Sequence, residues 1–177
     1  MTKIRPAPWD LRAIKWVGFD VDGVMTDGGI IINDAGQEWK RFHSRDGHGL
    51  KMLIRAGLKV AIITGRTSQV VTARARDLGI EEVHQGVLDK LVAYEASLAR
   101  WNLSPAETAF AGDDVVDLPI LARCGLAMTP ADACPEALAQ AHLVVQANGG
   151  QGAVREMVEF ILKGQGLWDD LVARYRA

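Results

Sequence analysis

Asp20 and Asp22 stand one residue apart at the end of a short apolar run, Trp16-Val17-Gly18-Phe19, and Gly23 follows them. On an extended chain side chains alternate with period two, so both carboxylates are predicted to point to one side. Two like charges held that close repel each other, and a nearby positive charge offsets the repulsion. A divalent cation suits the pair, because hard cations take oxygen ligands. An ordinary Asp-Gly turn after a strand is the plainer alternative. Other stretches bear on the choice. Thr64-Gly65-Arg66 closes the apolar residues 58–63, Lys90 follows Val83-His84-Gln85, and Gly112-Asp113-Asp114 closes residues 108–111. Singly, Thr64 reads as a turn residue, Lys90 as a solvated helix residue, and Asp113-Asp114 as a helix N-terminus. Jointly they put a hydroxyl, a lysine and several carboxylates at strand ends. That set suits phosphoryl transfer, which needs a metal to neutralise charge, donors for phosphate oxygens, and an oxygen nucleophile.

The elements that would position these groups alternate in type. Strands are predicted at residues 16–21, 58–63, 83–85, 108–111, 126–128 and 143–145. Helices are predicted at 49–56, 68–78, 88–101, 118–123 and 153–162, with Gly79 stopping the second. Such alternation implies an α/β fold, a Rossmann-like parallel sheet with helices on both faces. Ligands of such sheets bind beyond the carboxyl ends of the strands. Residues 7–13, with Pro8 and Trp9, form a short amphipathic lead-in. Residues 29–43 break the rhythm and read as a β-hairpin turning at Asn33-Asp34-Ala35-Gly36. A hairpin alone is marginal in water, so it is expected to pack on something, such as a second copy of itself.

Length and composition exclude several classes. The 177 residues suit one domain with a real core. A net charge of −2 and the lack of any basic block argue against nucleic acid. No apolar run approaches the ~20 residues of a membrane span, and the first residues lack the apolar core of a signal peptide. Cys124 and Cys134 are read as reduced, small core or helix-end residues. A cytoplasmic protein is expected. His43, His84 and His142 read as polar surface or loop residues, and His48, between Gly47 and Gly49, is placed near a pocket.

Asp20-Val21-Asp22-Gly23, Thr64, Lys90 and Gly112-Asp113-Asp114 resemble the four motifs of the haloacid dehalogenase superfamily of phosphohydrolases, over nearly the whole chain. The resemblance implies that Asp20 is the nucleophile and forms an aspartyl-phosphate. It makes Asp22 the general acid that protonates the leaving oxygen and then activates water. Magnesium would be held by the carboxylates of Asp20 and Asp113 and the backbone carbonyl of Asp22. Phosphate would be held by Thr64, the Gly65 backbone and Lys90. Asp117 resembles the supporting acid of the fourth motif. Many relatives carry a cap domain, whereas here the hairpin alone follows the first motif, as in the capless subgroup. In that subgroup tetramerisation supplies the cover.

Arg45-Asp46-Gly47-His48-Gly49, Ile62-Ile63-Thr64-Gly65-Arg66 and residues 149–156 further resemble the 3-deoxy-D-manno-octulosonate 8-phosphate phosphatases, which act on a sugar-acid phosphate in lipopolysaccharide precursor synthesis. The resemblance implies a homotetramer with the hairpin and the tail at 163–177 lying at subunit interfaces. Arg66 is a sensible partner for a substrate carboxylate. Residues 85–90 also resemble the nine-carbon sugar-acid 9-phosphate phosphatases, an alternative substrate class. A non-catalytic oligomerising module is the remaining alternative, and the retention of every catalytic residue type stands against it.

Overall fold

The computed structural model describes residues 2–5 and 9–176; residues 7 and 8 of the expected lead-in and Ala177 of the expected tail lie outside them. The strands are β1 (Lys3–Ile4), β2 (Trp16–Phe19), β3 (Ile31–Ile32), β4 (Glu38–Trp39), β5 (Lys59–Ile63), β6 (Glu82–His84), β7 (Thr108–Ala111), β8 (Leu126–Thr129) and β9 (Leu143–Val144). The α-helices are α1 (Ser44–Arg55), α2 (Gln69–Leu78), α3 (Lys90–Trp101), α4 (Leu118–Leu121), α5 (Pro135–Gln140), α6 (Ala153–Gly164) and α7 (Trp168–Ala173).

The main sheet runs β1-β9-β8-β7-β2-β5-β6. Its strands pair in parallel except β1, which lies antiparallel against β9. The period-two alternation divides the core between the two faces. Val17 and Phe19 of β2 pack with Val60 and Ile62 of β5 under α1, α2 and α6. Trp16, Ala61, Ile63 and Phe110 face the other way, toward α3, α4 and α5. This is the doubly covered parallel sheet expected of alternating strands and helices.

Gly79 ends α2 with φ 77°, the left-handed conformation that glycine adopts readily. The largest boundary difference is at α1, which begins at Ser44, several residues before the predicted start at 49. Gly47 falls before the predicted start and Gly49 at it, but here both serve close packing inside the helix. A Cβ on Gly47 would stand 2.1 Å from Arg74 Nη2, and one on Gly49 would stand 3.3 Å from Arg155 Cδ. α1 and α6 therefore pack closely. The edge strand β1 and the helices α5 and α7 were not anticipated, being too short to show a clear period.

β3 and β4 form a separate two-stranded hairpin, with Ile31 opposite Trp39 and Ile32 opposite Glu38. Asn33 builds its turn by accepting from the N–H groups of Ala35 and Gln37. Ile30, Ile31, Ile32 and Trp39 are all more than half exposed on it. α7 folds back on its own chain: Leu167, Trp168, Leu171 and Val172 pack against the core under α6. Among the described residues, no helix is long and apolar enough to cross a membrane.

Candidate active site

β2, β5 and β7 lie side by side at the centre of the sheet, and their carboxyl ends deliver Asp20, Thr64 and Asp113. Asp20 leaves β2 in extended conformation and its N–H donates to Ala111 O, so β7 fixes its position. Beyond it, Val21–Met25 coils into one wide helical turn, with Gly23 at φ 95°. The strand thus ends at Phe19, and Asp22 sits on the turn rather than beside Asp20 on a strand. The expected crowding of Asp20 against Asp22 is corrected accordingly. Lys90 and the carboxylates of Asp113 and Asp117 surround Asp20, while Asp22 faces Lys40 and Arg66.

Oxygen atoms of Asp20, Asp113 and Asp117 lie within 4.8 Å of one another. Lys90 Nζ stands 2.8 Å from Asp20 Oδ1 and 2.8 Å from Asp117 Oδ1. The other oxygen of Asp117 accepts from the N–H of Asp113 at 3.0 Å and of Asp114 at 3.2 Å. Asp117 is fully buried with both oxygens engaged, so it braces the loop and Lys90. Asp113 Oδ1 is buried with no hydrogen-bond partner. Such a buried, unsatisfied oxygen is costly unless something compensates it. A Cβ on Gly23 would stand 2.0 Å from Asp113 Oδ2, so only glycine lets the turn approach this carboxylate. Hard oxygen donors, one of them unpartnered, fit a divalent cation between Asp20 and Asp113.

The charges agree. Burial, then Asp117, pushes Asp20 up to about 6 against the pull of Lys90. Burial, with Asp20 and Asp117, pushes Asp113 up to about 7. Burial works against the Lys90 ammonium, yet Asp20 and Asp117 outweigh it and hold its pKa above the usual lysine value. Raised carboxylates make the folded, metal-free protein bind protons more tightly than the unfolded chain. Their contribution is therefore favourable at low pH and lost as pH climbs from the ordinary value of 3.8 to about 7. Metal-free wild type is expected to lose melting temperature relative to Asp113→Asn as pH rises across that window. Saturating magnesium should restore it, and a flat difference in thermal scans would contradict the assignment.

Thr64 is buried; its N–H donates to His84 O and its carbonyl accepts from Val87 N–H. Gly65 is exposed beside it. Arg66 stands at the mouth, its Nη2 donating to Glu38 Oε1 at 3.0 Å and its Nε 3.8 Å from Asp22 Oδ2. Lys40, which the sequence reading passed over, reaches Asp22 Oδ1 from the end of the hairpin. Its signal was the alternation Glu38-Trp39-Lys40, which puts both charged residues opposite the exposed tryptophan.

Other expectations fall outside the site. His48 does not join the carboxylates: its Nε2 lies 2.9 Å from the Tyr175 hydroxyl. His84 and His142 are structural, His84 against Glu82 and His142 accepting from Ala127 N–H. The Arg45–Gly49 stretch braces the fold, since buried Asp46 accepts from the N–H of Arg155 at 2.8 Å and of Gly152 at 3.3 Å. It thereby caps the N-terminus of α6, where a carboxylate is favoured.

A parallel sheet with acidic strand ends, a buried lysine and a carboxylate cluster that could hold a cation points to a class of hydrolase. Residues 45–125, which include Thr64, Lys90, Asp113 and Asp117, match the haloacid dehalogenase-like hydrolase family model. The chain belongs to that family. Among its relatives, the 3-deoxy-D-manno-octulosonate 8-phosphate phosphatase of Yersinia pestis is 47% identical over 146 residues, which is 82% of this chain and 78% of the relative. The crystal structure of the Moraxella catarrhalis phosphatase of that name holds a magnesium ion, a phosphate ion and a KDO molecule. It has a TM-score of 0.92 at 38% identity, covering 94% of this chain and 95% of that one. A cobalt-bound Haemophilus influenzae relative has a TM-score of 0.86 at 41% identity, covering 89% of this chain and 92% of that one.

Proposed function

We propose that the protein is a magnesium-dependent phosphomonoesterase that releases phosphate from 3-deoxy-D-manno-octulosonate 8-phosphate. One observation carries the chemistry: Asp20 is held between Lys90 and the unpartnered carboxylate of Asp113 at the carboxyl edge of the sheet. The substrate reading is supported by the named relatives, whose likeness extends over most of the chain.

Asp20 attacks phosphorus, and the bond to the sugar oxygen breaks as the aspartyl-phosphate forms. Asp22 gives its proton to that oxygen. It then takes a proton from the water that attacks the acyl phosphate, which returns Asp20 and frees phosphate. Lys90, already 2.8 Å from Asp20 Oδ1, meets the charge on the transferring oxygens. Thr64 and the Gly65 backbone hold the remaining phosphate oxygens, and Arg66 receives the substrate carboxylate. Asp20 and Asp113, with the backbone carbonyl of Asp22, would hold magnesium, which supplies positive charge to the phosphoryl group when bound. The test is kcat/KM on the eight-carbon and nine-carbon sugar-acid phosphates. A clear preference for the nine-carbon substrate would overturn the substrate assignment, and no magnesium-dependent release from either would overturn the phosphatase reading.

The hairpin supports a homo-oligomer, which we place at four copies, with the family's capless members as the model. Four large apolar side chains in water on one two-stranded arm form a contact surface in search of cover. Replacing Ile31 and Trp39 by Asp and Glu is expected to yield monomers of weak activity, and an unchanged sedimentation coefficient would refute the arm's role. The tail's expected reach to a neighbour is set against its packing here on α6 of its own chain, with Tyr175 hydrogen-bonded to His48 and Arg55. A cytoplasmic setting is supported by two free cysteines, Cys124 in the core and Cys134 capping α5.

A further inference from the structure

The hairpin enters the site through a residue that none of these steps uses. Lys40 follows β4, and its side chain is only 1% exposed, although its neighbour Trp39 stands in solvent. Its Nζ contacts Asp22 Oδ1 and lies 3.3 Å from Glu38 Oε1. Arg66 closes the ring between Glu38 and the second oxygen of Asp22. The two cations differ in freedom. Arg66 is 44% exposed and can turn toward a ligand, whereas Lys40 is enclosed. A buried ammonium persists only where carboxylates satisfy it. Thr26 Oγ1 adds a contact to the same oxygen at 3.4 Å.

We propose that Lys40 is a positioning residue for Asp22. By holding Oδ1 it fixes the orientation of the Asp22 carboxyl group, and so the direction in which Asp22 meets the leaving oxygen. The proposal rests on the phosphatase reading and deepens it. It also ties the chemistry to the hairpin, because Glu38 and Lys40 both come from it.

The leaving group provides the test. kcat/KM reports the steps through alcohol release. A sugar alcohol needs a proton as its P–O bond breaks, whereas p-nitrophenolate leaves without one. Lys40→Met is expected to lower kcat/KM on the sugar-acid phosphate by about tenfold or more, within the range that a positioned acid contributes. The loss on p-nitrophenyl phosphate should be clearly smaller, and Lys40→Arg should recover most of the activity. Lys40→Gln, measured in parallel, keeps the comparison if the methionine variant does not fold. Equal losses on both substrates, no loss on either, or a raised KM with unchanged kcat on the sugar-acid phosphate would each overturn the proposal. Wild type inactive on both would instead overturn the phosphatase reading on which it rests.

Discussion

Asp20→Asn is expected to lower kcat by about 10⁴-fold or more, the scale seen when a covalent nucleophile is removed. The amide matches the carboxylate in shape and offers Lys90 an oxygen, but that neutral oxygen is too poor a nucleophile to form the acyl phosphate. The fold should survive the change. Asp20 holds its charge against burial and the nearby Asp117, so a neutral side chain removes an unfavourable term, and Lys90 keeps Asp117 as partner. The metal-free variant should therefore melt at or above the wild-type temperature above pH 7. Phosphate release and thermal scans on the same preparation separate the two effects. Turnover within about tenfold of wild type would remove Asp20 from the nucleophile's role.

Asp117→Ala and Asp113→Asn should behave in opposite ways, although the two acids share one cluster. Asp117 accepts from two backbone N–H groups and from Lys90, all in the interior. Removing it leaves a buried ammonium with one partner and two unsatisfied donors, and breaking such a pair destabilises a protein by about 3–5 kcal/mol. Asp113→Asn removes a half-buried, raised carboxylate and should leave metal-free stability equal or higher. It should, however, abolish the rise in stability on adding magnesium. Denaturant titrations with and without magnesium measure both. If Asp117→Ala were as stable as wild type, its bracing role would be wrong; if Asp113→Asn kept the magnesium response, so would the cation site.

Much of this arrangement was legible in the sequence. The runs at β2, β5 and β7 are apolar because both of their faces are covered, and the candidate site residues come at their ends by the general logic of parallel sheets. Thr64, Lys90 and Asp113 could be found because each follows a recognisable element. The partners were harder. Asp20 and Asp22 differ in surroundings because the chain coils after Phe19, and a period-two argument fails where a strand stops. Asp117 was visible only as a motif residue, since its role depends on donors from a loop and from α3. Lys40 lies far from Asp22 along the chain, and no local pattern reports that its ammonium is buried. The start of α1 was missed because glycines that permit tight helix packing look, in one dimension, like glycines that end helices.

The central position of β2 has a consequence for how the molecule comes to be made. Trp16 is in register with Lys59 on one side and with Thr108 on the other. During synthesis the strand that carries Asp20 therefore waits for more than half of the chain to emerge before both of its edges are paired. Until then it is an apolar ribbon with an open edge, the kind of segment that associates wrongly in crowded conditions. Such long-range pairing slows folding relative to proteins built from local contacts. Nascent chains stalled before Thr108 should be protease-sensitive and bound by chaperones, and resistance should arrive together with β7.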